Sequence, residues 1–159
     1  MFEPLPFRLS ALGASAGGLE AFEQFFRSVS PDSGMAFVLV SHLDPSHDSI
    51  LTEILQRTTA MPVVEVKDHM TVAPNSVYVI PPNRDMAIFH GVLQLSVPEQ
   101  PRGLRMPIDA FLRSLADDQA ENAIGIILSG TGTDGTLGLR AILGAGGVSL
   151  VQGSGHGEI

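Results

Sequence analysis

The segment FRLSALGASAGGLEAFEQFFRSV, residues 7–29, decides how this chain folds. Its apolar start over residues 7–12 has the length of a buried strand, and the apolar residues over 19–29 then recur at helical spacing. Between them stands GASAGG, residues 13–18, whose glycines tolerate backbone angles that side chains with a Cβ avoid. The segment therefore predicts a strand, a glycine-rich turn and a helix, with Ser15 presented on the turn at the end of the strand.

The same alternation of strand and helix continues along the chain. Further strands are predicted at 35–41, 63–66, 123–128 and 148–151, and further helices at 48–58, 107–115 and 136–145. Such alternation is typical of a parallel sheet covered by helices on both faces.

The middle of the chain has a different pattern. Short apolar runs at 77–80, 86–90 and 93–97 are joined by turn residues, which indicates antiparallel pairing. We therefore predict an α/β fold: a doubly wound, mainly parallel sheet with a small antiparallel extension. The domain is predicted to span residues 1–152, and the aperiodic, glycine-rich residues 153–159 are predicted to form an unstructured tail.

Composition excludes several classes of protein. The chain has 159 residues, 44% of them hydrophobic, which suits one globular domain. It has no cysteine, which excludes disulfides, a thiol nucleophile and thiolate metal sites. A formal charge of −8 argues against nonspecific binding to nucleic acid or to anionic lipid. Without a basic leader or a long apolar run, we expect a cytoplasmic protein that does not insert into a membrane.

Three polar residues follow three different predicted strands. Ser15 lies on the first turn, His42 directly follows the strand at 35–41, and Asp134 lies in a glycine-rich loop after the strand at 123–128. Open α/β sheets place their chemistry just beyond the carboxyl ends of their strands. Serine, histidine and aspartate together can supply a nucleophile, a base and a group that orients the base.

Each of these residues also has a purely structural interpretation. Ser15 could satisfy backbone donors at a helix start, and Asp134 could be an ordinary capping residue. His42 could be a loop histidine bonded to water, and its neighbours His47 and Asp48 compete for the same role, although Asp48 suits a helix cap better.

A dinucleotide site is the competing interpretation of the third loop. Gly130, Gly132 and Gly135 satisfy G-x-G-x-x-G between a strand and a helix. That fingerprint also needs an acidic residue after the next strand, and no carboxylate follows residues 148–151 until Glu158. No pair of histidines has metal-binding spacing, so we expect neither a metal nor a cofactor.

The motifs together resemble the catalytic domain of the CheB-type chemotaxis protein-glutamate methylesterases. Members of that family carry a G-A-S-x-G-G turn, a histidine after the second strand and a G-x-G-x-D-G loop, here at 13–18, at 41–43 and at 130–135. The stretches at 77–83, 104–109 and 125–130 are also similar, above all to the versions fused to a receptor methyltransferase. The resemblance covers about residues 9–152 in one continuous order.

The resemblance implies a specific activity. It implies hydrolysis of γ-methyl esters on glutamyl side chains of chemoreceptors, sometimes with deamidation of glutamines, by a domain within a larger multidomain chain. Ser15 would be the nucleophile, His42 the base and Asp134 the orienting residue, and the backbone N–H groups of Ala16 and Thr131 would form the oxyanion hole. The partner would be the cytoplasmic helices of a methylated chemoreceptor or of a related signalling protein. A non-catalytic signalling module of the same fold is the alternative.

The sequence departs from the family pattern in three places. Ala16 stands where the family usually has serine or threonine, but a backbone donor does not depend on that side chain. Fourteen residues precede Ser15, so we expect no control by a receiver domain within this chain. Family domains also continue past the strand at 148–151. The apolar residues of this strand suit an interior or near-interior position in a complete fold. We therefore expect a domain truncated at its C-terminus, with low stability or self-association.

Overall fold

A six-stranded parallel sheet forms the centre of the fold. The computed structural model describes residues 3–14, 18–41, 48–101, 104–128 and 133–152, without the side chains of Asp48 and Ser49. The strands of the main sheet are β1 (Leu9–Ala14), β2 (Ala36–Ser41), β3 (Val63–Glu65), β5 (Val77–Val79), β8 (Ala123–Ile127) and β9 (Val148–Val151). Their order is β3-β5-β2-β1-β8-β9, and all neighbouring pairs are parallel.

Four helices cover the two faces of this sheet. They are α1 (Gly18–Arg27), α2 (Asp48–Thr58), α3 (Pro107–Gln119) and α4 (Thr136–Gly144). Because side chains alternate along a strand, Leu9 and Ala11 of β1 face one core, whereas Leu12 and Ala14 face the other. The first core also contains residues of α3 and α4, and the second contains residues of α1 and α2. The predicted doubly wound α/β fold is confirmed.

A separate three-stranded antiparallel sheet packs against α3. Its strands are β4 (Met70–Thr71), β6 (Asp85–Phe89) and β7 (Val92–Ser96), in the order β4-β7-β6. The hairpin of β6 and β7 was predicted. Buried and exposed side chains alternate along β6, with Met86 and Ile88 buried and Ala87 and Phe89 exposed.

The predicted third strand of the extension was wrong. The segment at 77–80 forms β5 of the main sheet, between β2 and β3, and the third antiparallel strand is β4. All three residues of β5 are buried, as in a parallel strand covered on both faces. A strand of the small antiparallel sheet would instead expose every second side chain. The continuous apolar run at 77–80 therefore indicated a strand of the main sheet. β4 has two residues, too few to show any period.

The last strand lies at an open edge of the main sheet. β9 pairs with β8 in parallel, as predicted, but its side chains are largely exposed: Val148 by 39%, Leu150 by 52% and Val151 by 52%. The strand therefore presents exposed apolar side chains at the edge of the described sheet. An interior position of this strand in a complete fold stays a prediction. The predicted tail at 153–159 lies outside the described residues. Within the described part of the chain, no helix is long and apolar enough to cross a bilayer.

Candidate active site

Three adjacent strands end at the point where the winding of the sheet reverses. β1 lies between β2 and β8, and the helices that follow β1 and β8 pack on opposite faces of the sheet. The chain therefore leaves β1 toward one side of the sheet and β8 toward the other. Ligands of open α/β folds bind at such a switch point. The predicted site residues all follow one of these three strands.

Four of the five predicted site residues lie outside the described part of the chain. They are Ser15, Ala16, His42 and Thr131. The strands that lead to them are described: Ala14, before Ser15, is in register with Ser41, before His42. On the other side of β1, Gly13 is in register with Ile127, and its carbonyl accepts the Leu128 N–H at 2.9 Å. The three strands thus remain paired up to their carboxyl ends.

Asp134 is the predicted site residue that the structure describes, and both its carboxylate oxygens are held by α3. Oδ2 accepts the Ile108 N–H at 3.0 Å, and Oδ1 accepts the Asp109 N–H at 2.7 Å. The first N–H groups of a helix have no partner within it, and the positive end of the helix dipole favours a carboxylate there. The first turn of α3 therefore fixes both the position and the orientation of the Asp134 carboxylate.

The local sequence explains why α3 takes its cap from a distant loop. Met106 precedes the helix and its side chain makes no capping hydrogen bond. Pro107 occupies the first helical position, where its missing N–H is not needed. Ile108 and Asp109 are left with free N–H groups in the first turn, and Asp134 supplies the acceptors.

A second carboxylate makes the reverse connection. Asp109, in the first turn of α3, is 6% exposed, and its Oδ1 accepts the Gly138 N–H at 2.5 Å in the first turn of α4. Asp134 directly precedes Gly135, the residue before α4, and its carboxylate caps α3. Asp109 belongs to α3, and its carboxylate caps α4. Carboxylate–N–H hydrogen bonds in both directions thus hold the first turns of α3 and α4 together.

Glycines allow the backbones to come close at this point. A Cβ on Gly13 would lie 2.6 Å from Ile108 Cγ2, and a Cβ on Gly135 would lie 2.7 Å from Ile127 Cδ1. Gly135 also has φ +107°, which strains any side chain with a Cβ. The end of β1, the start of α3 and the start of α4 therefore meet without space for larger residues.

Asp134 was predicted as a site residue, but the N–H groups of α3 that hold its carboxylate were not. The sequence allowed Asp134 to be a capping residue but did not indicate which helix it caps. In the structure it caps α3, and the two N–H groups that it accepts lie 26 and 25 residues earlier in the chain. Asp109 was missed altogether. A signal was present: Met106-Pro107 begins a helix with no Ser, Thr, Asp or Asn before it, so a cap from elsewhere had to be expected.

A groove beside α3 lies away from the carboxyl ends of β1 and β8. It has a volume of about 700 Å³ and is lined by residues of β6 and of the C-terminal end of α3, Asp118 among them. Asp118 is ten residues along α3 from Ile108, which corresponds to about 15 Å of helix. The groove therefore belongs to the opposite end of α3. Within the described ranges, no group of three His, Cys, Asp or Glu residues is placed to hold a metal ion.

Comparison with known proteins gives a consistent match. The family model described as CheB methylesterase matches residues 10–157. A protein-glutamate methylesterase/protein-glutamine glutaminase of Mesorhizobium japonicum is 34% identical over 152 residues, which is 94% of this chain and 44% of that protein. An uncharacterized 104.1 kDa protein of Rhodobacter capsulatus is 43% identical over 102 residues, 64% of this chain and 11% of that protein.

A solved structure has the same fold. The catalytic domain of the CheB methylesterase of Thermotoga maritima superposes with a TM-score of 0.83 at 24% sequence identity. The match covers 91% of this chain and 79% of that domain. The chain spans less than half the length of the curated relatives named above.

Proposed function

This chain belongs to the CheB methylesterase family, and we propose that it is a serine hydrolase that removes γ-methyl esters from glutamyl side chains of a chemoreceptor or related signalling protein. Relatives with that activity in their names match nearly its whole length. The names of several relatives also include glutaminase, so we extend the proposal to deamidation of glutamine side chains.

The observation that carries the proposal is the strand order β2-β1-β8, together with the register of the strand ends. Neighbouring strands are about 4.8 Å apart, and each trans peptide advances the chain by about 3.8 Å. Ser15 and His42 each follow by one peptide a strand end, and those two strand ends, Ala14 and Ser41, are in register on neighbouring strands. We therefore pair the Ser15 hydroxyl with the His42 imidazole in the proposed triad.

Asp134 completes the proposed triad from the other side of β1. Its carboxylate is immobilised by α3, whose Ile108 packs against Gly13 near the end of β1. A carboxylate oxygen can accept more than one hydrogen bond, which suits a carboxylate that is held by a helix and also orients an imidazole. A carboxylate held in this way needs little reorganisation when a neighbouring histidine becomes charged.

The proposed reaction has two half-reactions. The Ser15 Oγ attacks the γ-carbonyl carbon while His42 takes the hydroxyl proton, and Asp134 stabilises the resulting imidazolium. The N–H groups of Ala16 and Thr131 bind the oxyanion. The C–O bond to methanol then breaks as His42 returns the proton to the leaving oxygen, and water hydrolyses the acyl-serine to release the glutamate carboxylate. In deamidation, ammonia leaves in place of methanol.

Methanol release from a methylated receptor tests the proposal. Ser15→Ala and His42→Ala should each lower kcat by a factor on the order of 10⁴–10⁶, and the double variant should be little worse because the triad acts as a unit. Asp134→Asn should lower kcat by roughly 10²–10⁴ through loss of control over the imidazole tautomer. Ser41→Ala is the control and should retain turnover.

The outcomes separate the alternatives. Full activity of Ser15→Ala would mean that another serine, such as Ser41 or Ser129, is the nucleophile. A folded wild-type chain that binds receptor without releasing methanol would favour the non-catalytic signalling module. Stabilisation of the chain by NAD, measured as a rise in its melting temperature, would instead favour a dinucleotide site.

A further inference from the structure

The buried carboxylate of Asp109 has no role in the proposed triad. It is 6% exposed and makes a short hydrogen bond of 2.5 Å to the Gly138 N–H across the junction of two helices. A carboxylate is costly to bury, so its place needs strong compensation by hydrogen bonding. A leucine at this position of an apolar helix face would have provided packing without that cost. The carboxylate is therefore placed here for the connection that it makes.

That connection stabilises the point on which Asp134 depends. The first turn of α3 provides the two N–H groups that hold the Asp134 carboxylate, and one of them is the N–H of Asp109 itself. Asp134 is covalently joined to α4 through Gly135, which precedes the helix. A shift of α4 relative to α3 would therefore pull Asp134 away from its donors. The Asp109–Gly138 bond opposes that shift.

We propose that Asp109 is a positioning residue for Asp134: by tying α4 to α3 it fixes the carboxylate that orients the base. The importance of this for turnover rests on the proposed function, whereas the positioning itself does not. A misplacement of about 1 Å in a catalytic group can lower a rate about 100-fold. A small opening of the helix junction would therefore be visible in kcat.

The first measurement needs no activity. In Asp109→Ala, amide hydrogen exchange at Ile108 and at residue 109 should rise at least about 10-fold, because the Asp134 acceptors move away. Asp109→Asn should keep exchange near wild type, since its amide oxygen can still accept the Gly138 N–H. Unchanged exchange in Asp109→Ala would overturn the proposal, whatever the chain catalyses.

Asp118→Ala is the matched control. Asp118 lies at the far end of the same helix, and its two carboxylate oxygens accept the N–H groups of His90 and Gly91. Removing it takes away the same type of bond from α3 without touching the junction with α4. It should leave exchange at Ile108 and Asp109 unchanged even if the overall stability falls. An equal rise in both variants would mean a general loss of stability and would also overturn the proposal.

The second measurement uses methanol release. Asp109→Ala should lower kcat by about 10–100-fold with KM nearly unchanged, and Asp109→Asn should restore most of it. The double variant Asp109→Ala/Asp134→Ala should have the same kcat as Asp134→Ala alone, because Asp109 acts through Asp134. Independent, multiplicative losses would overturn the proposal.

Failure of the proposed function and failure of a variant to fold can each be distinguished from failure of this proposal. If Asp134→Ala retains full turnover, or the wild type has none, the proposed function fails and hydrogen exchange alone decides the role of Asp109. If Asp109→Ala does not fold, Asp109→Ser replaces it, since its hydroxyl ends one bond short of the carboxylate oxygen. The serine variant should show faster amide exchange at Ile108 than wild type, and exchange at the wild-type rate would overturn the proposal.

Discussion

The packing of α3 against α4 makes Gly138→Ala the most informative stability test. An alanine Cβ at this position would lie 2.5 Å from Leu112 Cβ and 3.2 Å from the Asp109 carbonyl oxygen. Ordinary van der Waals contact begins at 3.4 Å, and neither atom is the end of a flexible side chain. The clash can be relieved only if the two helices separate by nearly 1 Å.

Three contributions set the expected change in the free energy of unfolding of Gly138→Ala. Overpacking of a tight contact costs about 1–3 kcal/mol. Separation of the helices stretches the Asp109–Gly138 hydrogen bond, and a bond to a charged group contributes about 1.5–3 kcal/mol. The better helix propensity of alanine returns at most about 1 kcal/mol. We expect a net loss of about 2–4 kcal/mol, which lowers the melting temperature by roughly 5–15 °C for a chain of this size.

Gly144→Ala provides the matched control in the same helix. No atom lies within 4 Å of a Cβ at Gly144, and its φ is not in the left-handed region. This variant should gain about 0.5–1 kcal/mol. Urea denaturation of the two variants should therefore move the midpoint in opposite directions. Equal midpoints, or a Gly138→Ala chain more stable than wild type, would refute the close approach of α3 and α4.

Two further predictions concern the turns and the open edge. Asn75 has φ +57° and its Oδ1 accepts the Gly34 N–H at 2.7 Å, so Asn75→Ala should cost about 1–3 kcal/mol in a denaturant melt. Asn75→Gly should recover the part due to backbone strain, and identical losses would argue against any strain. We also expect the 159-residue chain to self-associate through β9, and Leu150→Lys should reduce that association in sedimentation velocity because a charge on an edge strand opposes pairing. Leu137→Lys, on the exposed surface of α4, is the control, and an equal effect of both would exclude β9 as the contact.

Local patterns predicted the sheet well. The strands β1, β2 and β8 are continuous apolar runs, and the helices between them show their period in the sequence itself. These features depend on residues close together in the chain, so they could be derived without knowing the pairing partners. The same holds for the order of motifs that placed Ser15, His42 and Asp134 after three strands.

Long-range choices could not be predicted in this way. β5 could pair with the hairpin that follows it or with β2, which lies 40 residues earlier in register, and apolar content alone does not decide between them. The cap of α3 by Asp134 spans 25 and 26 residues and leaves no local pattern at either end. Asp109 was missed for the same reason, since a buried aspartate in a helix looks like a surface residue until its partner is known.

The central position of β1 also has a consequence for how the chain comes together. Leu9 pairs with Ala36 across 27 residues of chain, but with Ala123 across 114. By the usual logarithmic dependence on loop length, closing the second contact costs about 1.3 kcal/mol more chain entropy than closing the first. The carboxyl ends of β2, β1 and β8 come together only when both contacts are closed. A chain that has formed the β1-α1-β2 unit alone has two of the six strands of the main sheet, and it has not yet brought Asp134 beside β1.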